Sequence, residues 1–276
     1  MNRSHRLSGV ALALLAVQAA AMAAVPVDAA RDLAMKSGLW AQMESLGQQV
    51  RAGMATSLAK GGDAPADAAR ARMLACADTA YGTDALRATA VDAVAGALQP
   101  ADLPPLLAWY DSDIGARIAG MEQASAARVA DPQERLRLGG EAFAKASDAR
   151  KASLRAILSE TRSVDIMADT VIEMATAVRT GMASASAATP DAMAQIRSEL
   201  EAKRPQLVTR YAQMALPAYA FAYDGLGDAD LRRYADYLAG PAAKAYSDGA
   251  VRGVARALSD GSVKLGRCLK EAGAKS

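Results

Sequence analysis

With 276 residues and 32 basic against 30 acidic side chains, the chain is close to neutral. It has no Lys/Arg block of the kind that releases counterions from a phosphate backbone, which argues against nucleic acid as a partner. Sixty-nine alanines and an aromatic content of 4% favour helices with thin, small-residue interiors, because alanine loses no rotamer freedom on entering a helix.

Residues 1–23 read as a signal peptide. Arg3, His5 and Arg6 precede an apolar run from Val10 to Val17, and Ala21-Met22-Ala23 fits the small-x-small cleavage pattern. The run is too short to span a bilayer, and no later stretch reaches the roughly 20 apolar residues that a span needs. The expected product is a periplasmic or secreted protein, cut after Ala23 and without a transmembrane segment. Cleavage removes Arg3 and Arg6, leaving 30 basic residues against 30 acidic, and it removes His5, the only histidine. A chain without histidine has no Ser-His-Asp or Cys-His arrangement and no histidine-ligated zinc or haem. The sequence therefore predicts no enzyme, no cofactor and no metal.

A first helical unit is expected over 24–131. Leu39, Met43, Leu46, Val50 and Met54 recur at helical spacing, and Gly61-Gly62 ends that stripe. Asp63 is positioned to cap the next helix, with Pro65 in its first turn and Met73, Leu74, Ala77 and Tyr81 along it. Thr83 is positioned to cap a third, with Leu86, Ala90, Val94 and Leu98 on one face. Pro100 breaks it. Leu103, Leu107, Tyr110, Ile114, Ile118 and Met121 then form a fourth stripe, and four helices can close a small bundle.

A connecting helix over 132–160 carries Leu154, Ile157 and Leu158. The second unit, 161–276, predicts a helix near 163–183, a break before Pro190, and another break at Pro205. A helix with Leu207, Val208, Tyr211 and Met214 follows, with a kink at Pro217. Asp228 is positioned to cap a helix over Leu231–Leu238. No stretch alternates apolar and polar residues as a strand would. The predicted class is all-α.

The two units share a phrase. "VRAGMA" at 50–55 recurs as "VRTGMA" at 178–183, and at the same offset of 128 Leu98, Asp102 and Leu103 fall on Leu226, Asp230 and Leu231. Trp109 falls on Tyr237 and Ile118 on Tyr246. An internal duplication giving two related helical bundles accounts for this register. Arg51 and Arg179 recur with Asp102 and Asp230, which suggests an internal ion pair in each unit. Gly53 and Gly181 suggest close helix contacts, since a mid-helix glycine costs about 1 kcal/mol relative to alanine.

The stretch 98–118, "LQPADLPPLLAWYDSDIGARI", resembles the core of a secreted bacterial helical family, domain of unknown function twenty-fifty-nine. Its members carry an acidic residue and leucine, an aromatic-Tyr pair, then Ser-Pro-x-Gly-x-Lys. Trp109-Tyr110, Ser112, Gly115 and Arg117 match that pattern, with Asp113 at the usual proline position. In the second unit Asp230, Leu231, Tyr237 and Pro241 are kept. Gly240 stands for the serine, Ala243 for the glycine, and Lys244 sits one place early. The resemblance implies a helical fold and export, in two divergent copies, and no reaction or catalytic residue.

Trp109, Tyr110, Asp111 and Asp113 form the densest polar-aromatic cluster, able to stack a ligand or hold a cation, or equally to anchor a core with its carboxylates in solvent. Six of the eight tyrosines lie between Tyr211 and Tyr246. Tyr219, Tyr223 and Tyr237 among them are candidates for lining a groove for a peptide, glycan or lipid, or for filling an interior short of other large side chains. Cys76 and Cys268 are either a disulfide, as export favours, or two buried thiols. The function these features predict is an exported, non-enzymatic binding protein for an envelope protein or a hydrophobic ligand. The alternative is a hydrolase of envelope polymers using carboxylate or Ser/Lys chemistry.

Overall fold

The structure, a computed structural model, describes residues 24–60, 67–129, 131–182 and 190–273. The expected signal peptide at 1–23, the Gly61–Pro65 break and the break at 183–189 lie outside these residues. No strand occurs among the described residues; the fold is all-α.

Helix α1 (Val27–Lys36) turns Ala30, Leu33 and Ala34 inward. The chain then reverses at Gly38, whose φ of +84° suits a residue without a Cβ, into α2 (Leu39–Lys60). Next come α3 (Asp67–Ala80) and α4 (Thr83–Ala97). A 3₁₀ turn at Pro100–Asp102 follows, in which the Asp102 carboxylate accepts the Gln99 N–H at 2.8 Å. Pro104 and Pro105 sit in the first turn of α5 (Leu103–Tyr110), where an N–H has no intrahelical partner to lose.

The stripe expected to run unbroken from Leu103 to Met121 divides at Asp111-Ser112, where α6 (Asp113–Arg128) begins on a Ser112 cap. Asp131 and Ser147 cap α7 (Pro132–Lys145) and α8 (Asp148–Thr161), accepting the N–H groups of Gln133 at 2.9 Å and Arg150 at 3.0 Å. The remaining helices are α9 (Ser163–Met182), α10 (Pro190–Glu201), α11 (Arg204–Ala222), α12 (Asp228–Leu238) and the long α13 (Pro241–Gly273). Thr83 and Asp228, expected as caps, are instead the first residues of α4 and α12, behind Gly82 and Gly227.

Two interiors form. The first gathers Leu33, Met43, Leu86, Val94 and Leu106, and it is completed by Tyr246, Ala257 and Leu258 of α13. The second gathers Ile118 of α6, Leu154 and Ile157 of α8, Tyr223 just past the end of α11, and Leu231 and Tyr234 of α12. The last helix of the chain thus packs on the first half, against α4, while α7 packs on α11 in the second half. Small residues permit both contacts. A Cβ at Gly253 would lie 2.8 Å from Ala90 Cα, and one at Gly139 would lie 1.9 Å from the Pro217 carbonyl oxygen. Each fully buried Leu or Ile contributes about 1.5–3 kcal/mol.

Cys76 and Cys268 are bonded, with their Cα atoms 5.7 Å apart. The bridge ties α3 to the far end of α13 across 192 residues of sequence.

The expected ion pairs are different. Arg51 pairs with Asp78 at 2.7 Å, one helix closer than Asp102, and Asp230 pairs with Arg117 across the two halves. A Cβ at Gly53 would meet nothing within 4 Å, and the residue faces solvent, so no close helix contact explains this glycine. The side chains of Arg179, Gly181 and Met182 lie outside the described residues.

Candidate functional site

The turn between α5 and α6 positions the aromatic pair. Ser112 donates its hydroxyl to the Trp109 carbonyl at 2.6 Å and accepts the Gly115 N–H at 3.1 Å. A side chain at position 115 would place a Cβ 2.0 Å from the Trp109 carbonyl oxygen, so only glycine lets α6 start this close to the end of α5. The Trp-Tyr-x-Ser-x-x-Gly pattern is therefore a helix corner, and it aims Trp109 and Tyr110 inward.

There they meet rings from the second half of the chain. Trp109 stacks on Tyr237 with centroids 4.1 Å apart and planes 6° from parallel. Tyr110 meets Tyr237 and Tyr246 edge-on at 6.2 and 6.1 Å. Trp109 also lies 6.0 Å from Tyr234, which meets Tyr223 at 5.7 Å, and Tyr223 lies 5.8 Å from Tyr219. Seven rings thus form one seam joining the two interiors, each pair contributing about 0.5–1.5 kcal/mol beyond its buried area.

The polar tips of the seam are mostly paired. Glu122 Oε1 accepts hydrogen bonds from Tyr223 at 2.6 Å and Tyr234 at 2.8 Å. Tyr219 donates to Ser163 at 2.9 Å, and Tyr246 bonds Ser37. Among the described residues Trp109 Nε1 is buried without a partner, and the Tyr237 hydroxyl has only the Tyr110 phenol near it, outside ordinary hydrogen-bond geometry. Burial raises the Glu122 carboxyl above its ordinary range, against the opposing pull of the two phenol hydrogen bonds. Burial also pushes the Tyr237 phenol up to about 12 and holds Tyr110, Tyr223 and Tyr234 well above 10.

The structure thus brings Trp109, Tyr110, Tyr219, Tyr223 and Tyr237 together as a filled seam. Asp111 and Asp113 lie outside it. Asp111 is exposed and paired with Lys36 of α1; Asp113 is exposed in the first turn of α6, where a carboxylate complements the helix dipole. Among the described residues no group of three or more His, Cys, Asp or Glu side chains could hold a metal ion. No described helix is long and apolar enough to cross a membrane.

Open space lies elsewhere, in residues the sequence did not single out. A groove of about 290 Å³ runs between α9 and α13. Its α13 wall presents Asp248, Val251, Arg252, Ala255, Leu258, Ser259 and Ser262, spaced three or four apart on one helix face. Its α9 wall presents Ile166, Asp169, Thr170 and Glu173, with Arg162 at the mouth. Arg162 ends α8 in the left-handed conformation, φ 48° and ψ 22°, where glycine is the usual choice and a side chain costs about 1–2 kcal/mol. It reaches Asp248 at 3.7 Å. Asp169 is held by Arg204 at 2.7 Å, and both oxygens of Glu173 by Arg197 at 2.8 and 3.1 Å. A second cavity of about 200 Å³ lies between α1, α2 and α4, where Arg87 covers the Trp40 ring at 4.6 Å and pairs with Glu44.

No local sequence signal marks the groove, because a left-handed arginine looks like any other helix-flanking arginine until the backbone is known. No protein-family model, curated protein or solved structure matches the chain.

Proposed function

We propose that the chain is an exported, non-enzymatic binding protein of the bacterial envelope, and that it takes its ligand in the groove between α9 and α13. The observation that carries this reading is the groove itself: apolar side chains line it beside hydroxyls and charges, the mixture by which a preformed site holds and orients a small molecule. The leader at 1–23 and the Cys76–Cys268 bridge both support an oxidising compartment outside the cytoplasm. The pattern at 98–118 supports membership of the secreted helical family it resembles.

We also propose an internal duplication, supported by the register in which α5 (Leu103–Tyr110) falls on 231–238 of α12 at the offset of 128 residues. The halves differ beyond that point: the separate helices α6 and α7 at 113–145 fall on the single helix α13 at 241–273, and Leu103 is half-buried beside the first interior whereas Leu231 is fully buried in the second.

The test is native mass spectrometry of the disulfide-intact protein released from the periplasm, beside an Ala255→Trp variant that fills the groove. A bound small molecule on the wild type that disappears from a folded Ala255→Trp variant supports the reading. Absence of any adduct on the wild type, or the same adduct on both, refutes it.

A further inference from the structure

The two interiors do not divide the chain at its middle. The first draws on residues between Val25 and Tyr110 and again between Ala242 and Leu265; the second draws on residues between Ile114 and Leu238. The described chain is therefore two packed bodies, 24–110 with 241–273, and 113–238 inserted between them. Among the described side chains that form or border the interiors, two cross over. Trp109 borders the second interior, and Tyr237 borders both. These are the two rings stacked at 4.1 Å.

The backbone passes between the bodies twice, at Asp111-Ser112 and at Ala239-Gly240, and both passages are built alike. The Asp111 and Ser112 N–H groups donate to the Leu107 and Trp109 carbonyls at 2.8 and 3.0 Å. The Ala239 and Gly240 N–H groups donate to the Ala235 and Tyr237 carbonyls at 3.1 and 3.0 Å. Each passage leaves directly from one ring of the stack. Two short connections beside one shared pair of rings have the form of a hinge, in which a few residues at the ends of elements absorb a rotation. The rings themselves are not pinned. Among the described residues neither Trp109 Nε1 nor the Tyr237 hydroxyl makes a well-formed hydrogen bond, and stacking alone fixes separation more firmly than rotation.

The α9–α13 groove lies between these bodies: its α9 wall belongs to 113–238 and its α13 wall to the other body. Each wall is fixed to its own side. The Tyr219 hydroxyl bonds Thr161 at 3.0 Å and Ser163 at 2.9 Å, on either side of Arg162, where α9 begins. On α13, Leu258 is buried in the first interior, Ser262 meets Tyr81 at 2.9 Å, and Cys268 is bonded to Cys76. Between the walls stand Arg162–Asp248 at 3.7 Å and Lys244–Glu160 at 3.0 Å, pairs with much of their surface in solvent. Such pairs hold two bodies weakly, and polar interfaces between bodies of one chain permit relative motion.

The groove residues Ile166 and Val251 have counterparts at the offset of 128, Gly38 and Gln123, again one from each body. There the bodies touch, and a Cβ at Gly38 would lie 2.9 Å from Gln123 Nε2. The bodies are thus in contact at one of these two places and separated by about 290 Å³ at the other.

We infer that the two bodies rock about the Trp109–Tyr237 stack, and that this rotation opens and closes the α9–α13 groove. That the motion admits a ligand rests on the groove being a ligand site, as proposed above; the motion itself does not.

The experiment is pulsed electron paramagnetic resonance on the disulfide-intact protein, spin-labelled in pairs at introduced cysteines. The native cysteines are bonded to each other and take no label. Met214→Cys with Arg256→Cys spans the two bodies. Met167→Cys with Met214→Cys lies within 113–238, and Val27→Cys with Arg256→Cys lies within the other body; all four positions are exposed. The spanning distance distribution should be about twice as wide as either control, or have two maxima. Adding Ala255→Trp, which fills the groove, should narrow and shift the spanning distribution and leave both controls in place. Equal widths for all three pairs mean one rigid block and overturn the motion. A spanning distribution that Ala255→Trp leaves unchanged overturns its link to the groove. The adduct measurement separates this inference from the one it extends: an adduct with equal widths keeps the site and removes the hinge, and a wide spanning distribution without an adduct keeps the hinge and removes the ligand.

Discussion

Trp109 of α5 and Tyr237 of α12, 128 positions apart in the sequence, lie face to face at 4.1 Å. They are the residues that the offset of the repeated phrase sets against each other, and they touch. Replacing Trp109 by Ala should cost about 3–5 kcal/mol, and a double-mutant cycle with Tyr237→Ala should return a coupling of about 1 kcal/mol. Tyr237→Phe should be close to neutral, because the buried hydroxyl it removes makes no well-formed hydrogen bond among the described residues. Urea unfolding measures all four; strictly additive costs would mean that the rings do not share an interaction.

Glu122 makes stability depend on pH. Its carboxyl sits above the ordinary value of 4.5 because burial disfavours the charged form. The folded protein then keeps a proton that the unfolded chain gives up. This contribution is therefore fully present below the ordinary glutamate value and is lost as pH rises through the folded one. Glu122→Gln removes the titration. The stability gap between wild type and variant should narrow as pH rises from the ordinary glutamate value through the raised folded one, as read by urea midpoints along a pH series. Parallel curves would show that the Glu122 proton is not linked to folding.

Three glycines predict effects of opposite sign. Gly139→Ala drives a Cβ against the Pro217 carbonyl, and Gly253→Ala drives one against Ala90. Each should destabilise by about 1–3 kcal/mol. Gly53→Ala meets nothing and should stabilise α2 by up to about 1 kcal/mol. Thermal melting of the three variants checks the signs; a stabilising Gly139→Ala would mean that α7 and α11 do not pack at backbone contact.

The Cys76–Cys268 bridge should act on one half of the molecule. In the chain-entropy model, closing so long a loop contributes about 4–5 kcal/mol. Reduction should lower the melting temperature and speed amide exchange in α3 and the last turns of α13, while Leu154 and Ile157 of the second interior stay protected. Exchange mass spectrometry with and without reductant reads this directly. Uniform loosening would mean that the two interiors unfold as one.

The helical class was legible because it rests on local properties: alanine content, stripes such as Leu86-Ala90-Val94, and prolines at 100, 104 and 105. The bridge was legible as one of two options, since only two cysteines exist. Long-range partners were not. Asp102 was a reasonable mate for Arg51 by repetition, but Asp78 comes nearer once α2 and α3 pair, and Asp102 is spent on the Gln99 N–H. The tyrosines were recognisable as a concentration, whereas their closure into a seam depends on Trp109 arriving from more than a hundred residues away. The groove was hidden for a related reason: its walls are ordinary helix faces, and only the crossing of α9 over α13 makes them face each other.

Because Tyr246, Ala257 and Leu258 shut an interior begun by Leu33 and Met43, the portion of the chain made first is missing a wall until the portion made last has arrived. Native contacts this distant in sequence slow folding. A nascent polypeptide of this design lacks that wall until α13 is made, and a copy truncated before α13 exposes an unsealed apolar trough suited to recognition by proteases.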